Sequence, residues 1–265
     1  MIKIYNFYMK KEISVLIVAH NEEKTIYECL SLLKFAHEIV IILDDCIDKT
    51  EEISKSFTDK IFSGSWEIEG ERRNFGISKC SKDWILEIDA DEFVNSDLSE
   101  EILRCINSPN DYNYYNIKID NYIGDKLVKY GWGSTFGRGG VNCLFQKGFK
   151  IWGYQRVHPE ITLKGKEGPA LKKTIKHQFV ENISGLFEKF NHWTHLKALD
   201  LIDSQKIHNE TLFRNIRRVF TRFLKNYYKR KGKEEGLMGF LISLFAGLFP
   251  LVSYLRAKIY QSGIK

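Results

Sequence analysis

Two aspartates separated by one residue follow a short apolar run, a pattern that could hold a divalent metal ion. The run covers residues 84–88, and Asp89 and Asp91 come directly after it. Because alternate side chains of an extended chain share a face, the two carboxylates point to one spot. Such a spot suits Mg²⁺ or Mn²⁺ carrying a diphosphate, since Mg²⁺ takes few protein carboxylates and leaves room for phosphate oxygens. Aspartate pairs also occur by chance in surface loops, so the interpretation depends on the neighbouring motifs.

Other polar residues lie at comparable positions beside predicted strands. The β-branched apolar runs at 13–19 and 39–43 predict buried strands. The polar groups are His20-Asn21-Glu22 after the first strand, Asp44-Asp45 after the second, and Arg72-Arg73-Asn74 in the helix before the fourth. In a parallel sheet these groups gather at the carboxyl edge, where open α/β sheets bind ligands. There a strand-end acid can accept hydrogen bonds from a uracil N–H or a ribose hydroxyl, and Arg73 can face a phosphate.

The order of predicted elements indicates the fold that positions these residues. Strands are predicted at 13–19, 39–43, 61–62 and 84–88, and helices at 25–35, 50–57 and 71–80. This alternation is typical of a parallel sheet with right-handed crossovers. Further on, a helix is predicted at 98–106, antiparallel strands and loops at 113–145, and mainly helix from 183 onward. The predicted fold class is α/β, with a Rossmann-like, mostly parallel central sheet and helices on both faces.

The composition limits the class of protein. At 265 residues, 43% of them hydrophobic, the chain can form one sizeable domain with an appendage. Its five cysteines are scattered and include no Cys-x-x-Cys pair, which favours reduced thiols in a cytosolic setting over a disulfide framework or a zinc site. Residues 1–12 lack the apolar core of a secretory signal.

The positive charge is concentrated near the C-terminus. The formal net charge is +6, and residues 211–235 alone carry nine Lys/Arg and two Glu. A nucleic-acid surface over the whole protein is therefore not predicted. Apolar residues at helical spacing make this segment a basic amphipathic helix; they are Leu212, Ile216, Val219, Phe220, Phe223 and Tyr227.

An uncharged run of 19 residues follows at 237–255 and contains Gly239, Gly247 and Pro250. A helix that spans a membrane needs about 20 apolar residues. The glycines and the proline favour an in-plane or re-entrant helical hairpin over a clean span, and an ordinary core helix is the alternative. Because basic and uncharged segments adjoin, residues 211–260 are predicted to contact a membrane surface, where each Lys or Arg near anionic lipid adds about 1 kcal/mol.

Three segments carry a resemblance to a known family. "VLIVAHNEEKTIYECL", "IILDDCIDKTEEI" and "GERRNFGISKCSKDWILEIDADE" resemble the family 2 glycosyltransferases of the GT-A fold. "RVHPEI" and the basic, then apolar, C-terminus are similar to the branch that includes lipopolysaccharide core β-1,4-glucosyltransferases. Two motifs depart from the family pattern. The turn after the second strand, at 44–48, is one residue shorter, and the usual Arg-Leu-Phe reads Cys143-Leu144-Phe145, with Arg138 a candidate for the missing arginine.

The resemblance implies an inverting transferase that moves a hexose from a nucleotide-sugar, here a UDP-sugar, to a glycolipid or lipopolysaccharide-core-type acceptor, with Mg²⁺ or Mn²⁺ as cofactor. Carried over position by position, the nucleotide-sugar site would consist of Ala19, Asn21, Glu22, Asp44, Asp45, Arg73 and Asp89. Asp45 would contact the base with Asp44 supporting it. Arg73 would lie near the diphosphate, and Asp91, with Asp89, would coordinate the metal.

The reaction also needs a general base for the acceptor hydroxyl. This carboxylate must lie across the sugar from the metal, which excludes Asp89 and Asp91 and leaves Glu160, Asp120 and Asp125 among the later carboxylates. Glu160 is the leading candidate, because the Val-His-Glu motif of the branch reads Val-His-Pro-Glu at 157–160.

The predicted domains are a GT-A catalytic domain at 1–182 and a helical membrane-associating region at 183–265. The catalytic domain divides into a nucleotide-sugar half at 12–95 and an acceptor half at 96–182. The expected location is the cytoplasmic face of the membrane. One competing hypothesis is a non-catalytic nucleotide-binding module that interacts with membranes. Another is a nucleotidyltransferase, which would carry a glycine-rich loop after the first strand, whereas residues 20–24 contain no glycine.

Overall fold

The computed structural model describes residues 10–133, 137–156 and 158–263. Its first half is a parallel sheet in the order β3-β2-β1-β4. The strands are β1 (Ile13–Ala19), β2 (Glu38–Asp44), β3 (Ile61–Gly64) and β4 (Trp84–Asp89), and the connecting helices are α1 (Ile26–Ser31), α2 (Thr50–Ser54) and α3 (Glu69–Lys79). All four predicted strands are confirmed. Two predicted helices, at 25–35 and 50–57, are shorter in the structure because tighter turns follow them.

The sheet continues beyond β4 with mainly antiparallel pairing. The further elements are β5 (Glu92–Phe93), α4 (Ser96–Asn107), β6 (Tyr114–Ile123), β7 (Lys126–Val128), β8 (Gly140–Gln146) and β11 (Thr174–Val180). The order from β4 is β8-β6-β11-β5, with β7 beside β6, and only β6 and β11 pair in parallel in this half. A separate hairpin pairs β9 (Lys150–Trp152) with β10 (Ile161–Leu163). The nine-stranded sheet is therefore mixed.

Both faces of the first four strands are covered, which explains their continuous apolar sequence. All seven residues of β1 are buried. One face of the sheet packs with apolar residues of α1 and α4, and the other packs with α3 and the β9–β10 hairpin. Burial on both faces is typical of parallel strands flanked by helices. The carboxyl ends of β1, β2 and β4 therefore reach one edge of a rigid sheet.

Three helices complete the chain. They are α5 (Ile183–Asp203), α6 (Leu212–Leu224) and α7 (Gly236–Gln261), joined by short 3₁₀ and π turns at Lys206–Asn209, Lys225–Lys229 and Gly232–Glu235. The predicted amphipathic helix is confirmed as α6, with its exposed apolar residues on one face. The segment Gly232–Gln261, which includes α7, is long and apolar enough by composition to cross a membrane.

The predicted helical hairpin within 237–255 is wrong, because α7 runs unbroken through Pro250. The glycines serve close helix packing and not a turn. A Cβ at Gly247 would lie 2.6 Å from the carbonyl oxygen of Val219 in α6, and a Cβ at Gly239 would lie 1.8 Å from that of Gly232. Packing against α5 and α6 holds the helix together despite the hydrogen bond that the proline removes.

The C-terminal helices share a hydrophobic core with the sheet. Ile242 and Phe245 of α7 pack in one cluster with Phe179 of β11 and with Trp132. Of the most apolar window of α7, 44% is buried inside the protein. The chain division at residue 182 therefore marks a change of secondary structure and not a separation of cores.

Candidate active site

The ends of β1 and β2 are tied together by two tight turns. Asn21 and Asp45 have left-handed backbones, with φ of 57° and 47°, a conformation that Asn and Asp tolerate better than most residues. The Asn21 side-chain oxygen accepts a hydrogen bond from the Ile47 amide at 2.8 Å. His20 Nδ1 lies 2.6 Å from the carbonyl oxygen of Asp44. The predicted residues of the two strand ends thus form one local surface.

The two aspartates that end β2 have different environments. Asp44 is buried, accepts a hydrogen bond from the Trp66 amide at 3.0 Å, and pairs with Arg72. Asp45 is exposed and accepts a hydrogen bond from Ser65 Oγ at 2.6 Å. Asp44 therefore stabilises the turn, while Asp45 is exposed beside it.

Ala19 and Glu22 lie at, and just after, the carboxyl end of β1. Ala19 is buried at the end of β1. The Glu22 carboxylate accepts a hydrogen bond from Thr25 Oγ1 at 2.9 Å. Burial, helped by the nearby charge of Asp91, raises the pKa of Glu22 to about 7. Glu22 is thus close enough to the Asp-x-Asp motif to feel its charge.

Asp89 is held by a buried ionic network. Arg73 Nη2 donates to Asp89 Oδ1 at 2.9 Å, and the same guanidinium contacts Glu69 at 2.9 Å and Glu87 at 3.0 Å. Lys150 Nζ, fully buried, lies 2.7 Å from Glu87. Burial alone would raise the pKa of Asp89, but Arg73 and Arg138 outweigh it and hold that pKa below its usual range.

The structure gives Arg73 a different environment from the one the sequence predicts. The sequence predicts that it faces a phosphate, whereas its guanidinium is buried among three carboxylates behind Asp89. The strand that carries Glu87 and Asp89 draws the arginine inward, because an unpaired buried carboxylate would be costly. Arg73 therefore orients the Asp89 carboxylate.

Asp91 has two cationic neighbours that sequence reasoning did not place. His177 Nε2 of β11 lies 3.3 Å from Asp91 Oδ2, and Lys189 Nζ of α5 lies 3.9 Å from the same oxygen. His177 Nδ1 is 2.7 Å from Asn121 Oδ1. Burial would lower the pKa of His177, but Asp91 and Glu92 outweigh it and raise that pKa. No local motif surrounds His177 in the sequence, so its role could not be predicted.

The residues at this spot fit a divalent metal. Asp91 Oδ1 is buried and has no hydrogen-bond partner among the described residues, so one hard oxygen is available. Among the described residues, no three or more His, Cys, Asp or Glu side chains lie close enough together to hold a metal ion by themselves. A site with few protein ligands is what Mg²⁺ or Mn²⁺ with a diphosphate requires, because the phosphates supply the remaining oxygens.

A cleft of about 520 Å³ opens on the other side of β4. We define it by six of its lining residues: Glu69, Trp132, Arg138, Trp152, His158 and Arg230. Arg138 and Trp152 also line a small void beside Asp89, so the cleft adjoins the Asp-x-Asp motif. Arg138 Nη2 lies 3.8 Å from Asp89 Oδ2. The cleft is large enough for a sugar and part of an acceptor.

Glu160, the predicted base, lies at the rim of this cleft. Its side chain is exposed, and the described lining includes its neighbours Pro159 and Ile161 but not Glu160 itself. Val157 of the same motif lies outside the described residues. The carboxylate that does line the cleft is Glu69, whose Oε1 is 2.9 Å from Arg73 Nε.

Comparison with known families decides the class of protein. The profile described as Glycosyl transferase family 2 matches residues 14–158, more than half of the chain. The chain belongs to glycosyl transferase family 2. The match covers β1 to β9 and the three strand-end motifs, which confirms the resemblance identified from the sequence, and it makes this protein a glycosyltransferase.

Individual relatives in family 2 align over nearly the whole chain. A glycosyltransferase of Rickettsia typhi is 27% identical over 96% of this chain and 89% of the relative. The lipopolysaccharide core biosynthesis glycosyltransferase LpsC of Rhizobium meliloti is 25% identical over 95% of this chain and 93% of the relative. Among solved structures, S. aureus TarS (residues 1–349) in complex with UDP-GlcNAc aligns over 96% of this chain and 92% of that chain, with 12% identity and a TM-score of 0.45.

Proposed function

We propose that this family 2 enzyme transfers a hexose from a UDP-sugar to a glycolipid or lipopolysaccharide-core-type acceptor at the cytoplasmic face of the membrane. One observation carries the proposal: the polar ends of β1, β2 and β4 meet at one sheet edge, with Asp45 exposed at one side and Asp89 beside the cleft at the other. This arrangement offers a nucleotide site and an acceptor site on either side of the donor sugar.

In the proposed reaction an acceptor hydroxyl attacks the anomeric carbon, and the nucleotide diphosphate leaves from the opposite face. Asn21, Glu22 and Asp45 would bind the nucleoside. Asp89, fixed by Arg73, would bind the ribose or the donor sugar in one orientation. Such positioning lowers the barrier because the reacting atoms are already aligned.

A divalent metal would be held by Asp91 and Asp89, with His177 beside them. When bound, it would neutralise charge that develops on the leaving diphosphate. Lys189, 3.9 Å from Asp91, would add a further positive charge on the leaving-group side of the proposed donor sugar.

The proposed general base is Glu160, and Glu69 is the competing carboxylate. A positioned base contributes about 10²–10⁴-fold to the rate. We expect Glu160→Gln to lower kcat by that factor without changing UDP affinity, and Glu69→Gln to lower it less. A kinetic comparison of the two variants tests the assignment, and the reverse order of effects would transfer the role to Glu69.

The proposed acceptor is supported by the name of one relative, and the proposed membrane contact by an exposed surface on α6. LpsC of Rhizobium meliloti is named for lipopolysaccharide core biosynthesis. On α6 and the turn after it, large apolar side chains are exposed beside basic residues; they are Phe213, Phe220, Leu224 and Tyr228 with Arg214, Arg217, Lys225 and Lys229. A surface that is apolar in its centre and basic at its margins suits the interface of an anionic membrane.

Turnover of nucleotide-sugars tests the enzymatic proposal. The assay follows release of UDP from a panel of UDP-sugars with Mn²⁺, with and without a bacterial glycolipid extract as acceptor. We expect activity in the wild type and its loss in Asp91→Asn. Asp83→Asn is the matched control, because Asp83 is exposed at the opposite end of β4. Full turnover by Asp91→Asn would remove the metal assignment, and no turnover with any sugar would favour the non-catalytic hypothesis.

Membrane contact needs a test that leaves the core intact. Deleting α6 and α7 would uncover the shared core, so surface substitutions are required. We expect Phe213→Gln with Phe220→Gln to reduce co-sedimentation with vesicles that contain anionic lipid. Tyr27→Gln is the control, since Tyr27 is 63% exposed on α1, in the nucleotide-sugar half. Unchanged sedimentation of the double variant would contradict this surface.

A further inference from the structure

The cleft carries an excess of positive charge on the acceptor side of β4. The guanidinium groups of Arg138 and Arg230 line it, against one lining carboxylate, Glu69, and Arg138 also lies 3.8 Å from Asp89 at the border of the cleft. Glu69 is already paired with Arg73. Across the described ranges, no carboxylate lies within ion-pair distance of Arg230. A cavity with a guanidinium that no protein carboxylate neutralises is suited to an anionic ligand.

Arg230 is held in place by its surroundings. Its Nη1 donates to Asn226 Oδ1 at 2.5 Å, and Asn226 is buried. Its carbonyl oxygen accepts a hydrogen bond from the Gly131 amide at 2.9 Å. A Cβ at Gly133 would lie 2.3 Å from Arg230 Nη1, so the guanidinium rests directly on a glycine backbone. The group is therefore oriented before any ligand arrives, which reduces the entropy lost on binding.

A second contact fixes the segment that carries Arg230 to the sheet. Glu235 Oε1 accepts hydrogen bonds from the backbone amides of Lys129 and Tyr130, at 2.8 and 3.0 Å. The segment that carries Arg230 is thus anchored to the chain that follows β7.

The cleft is separate from the nucleotide side of the site. β1, β2 and β3 lie on one side of β4. Apart from Glu69 of α3, the described lining of the cleft comes from residues 132–161, which follow β4 in the chain, and from Arg230. Trp132 and Trp152, both almost fully buried, form part of the wall of the cleft. An anion bound here would therefore belong to the acceptor and not to the nucleotide.

We propose that the cleft binds an anionic group of the acceptor saccharide, a phosphate or a carboxylate, through the guanidinium groups of Arg230 and Arg138. The inference rests on the proposed function, because it assumes that the cleft holds the acceptor. It narrows the acceptor class to charged saccharides. Arg230 then acts as a specificity residue supplied by the C-terminal region.

Binding of small probes tests this site. Glucose 6-phosphate, glucose and inorganic phosphate are titrated into the full chain with UDP and Mn²⁺ at saturation, and fluorescence of the cleft tryptophans is followed. We expect glucose 6-phosphate to bind about tenfold or more tightly than glucose. Arg230→Gln should weaken that binding about tenfold and leave UDP affinity unchanged, whereas Arg230→Lys should retain part of it. Arg217→Gln, on the exposed face of α6, removes the same charge as a control.

Three outcomes would overturn the proposal. In the first, UDP displaces glucose 6-phosphate from the wild type, and the Arg230→Gln variant binds UDP more weakly than the wild type does. Arg230 would then belong to the site of the donor diphosphate. Arg217→Gln could weaken binding as much as Arg230→Gln, leaving only general electrostatics. Glucose and glucose 6-phosphate could bind equally. Failure of the proposed function is distinguishable, because it shows as no UDP-sugar turnover, whatever the probes do.

Discussion

The nucleotide-sugar half and the cleft present opposite charge and are assembled differently. Carboxylates crowd the strand ends of the first half, where Glu22, Asp89, Asp91 and Glu92 lie close enough to shift one another's pKa. The guanidinium groups of Arg138 and Arg230 line the cleft; Arg138 lies 3.8 Å from Asp89 at the border of the two regions, and Arg230 has no carboxylate within ion-pair distance among the described residues. An acidic edge suits a metal that bridges to phosphate, and a basic cleft suits an anion directly.

This difference in assembly explains which of the two regions could be predicted from the sequence. The acidic edge is built from short continuous segments, each ending one strand. The cleft is built from residues between Glu69 and Arg230 that no local pattern connects. Residues at the ends of parallel strands can therefore be predicted from local sequence motifs. The residues of a cleft formed by distant segments can be identified only from the three-dimensional structure.

The largest effect should come from the buried network between the two regions. Arg73→Gln removes the guanidinium that neutralises three carboxylates, while Lys150 from the acceptor half still pairs with Glu87. We expect a loss of about 3–5 kcal/mol in the free energy of unfolding, because breaking a buried ion pair leaves uncompensated charge. Urea denaturation measures it.

An exposed arginine provides the control for that measurement. Arg104 pairs with Glu100 at 4.0 Å and is 69% exposed. We expect Arg104→Gln to cost less than about 1 kcal/mol, as for other surface pairs. Equal losses for the two substitutions would show that the Arg73 network does not join the two regions.

A smaller effect should come from the backbone contact between α3 and the β9–β10 hairpin. A Cβ at Gly70 would lie 1.7 Å from the carbonyl oxygen of Gly153, whereas a Cβ at Gly139 has no atom within 4 Å. We expect Gly70→Ala to destabilise the fold by about 1–3 kcal/mol through overpacking, and Gly139→Ala to have little effect. Thermal unfolding compares them, and a neutral Gly70→Ala would mean that the hairpin is free to move.

The sequence predicts the first half well because its signals are local. The four strands, Asp45 at one strand end and the Asp89–Asp91 pair at another are found where periodicity and spacing put them. The environment of Arg73 could not be predicted from the sequence, because it depends on Glu87, whose side chain is buried on β4. The hairpin predicted within 237–255 failed because Gly239 and Gly247 serve close packing, which a single sequence does not distinguish from a turn.

The smallest effect should appear in the pH dependence of stability. The pKa of Glu22 is raised to about 7, so the folded protein holds a proton that the unfolded chain releases near its ordinary pKa. The contribution of Glu22 to the free energy of unfolding is therefore largest at low pH, and it decreases as the pH rises through about 7. With a chelator present, we expect Glu22→Gln to stabilise the protein by roughly 1–2 kcal/mol at about pH 8 and little at about pH 4. An equal change at both pH values would contradict the raised pKa.

Calorimetric titration of UDP with Mn²⁺ tests whether the acidic edge binds the nucleotide diphosphate. We expect the wild type and Asp83→Asn to bind UDP with equal affinity. We expect Asp91→Asn to lose about tenfold or more of that affinity, a difference that should disappear when Mn²⁺ is omitted. Equal metal-dependent binding by the wild type and Asp91→Asn would contradict a role of the acidic edge in binding the diphosphate.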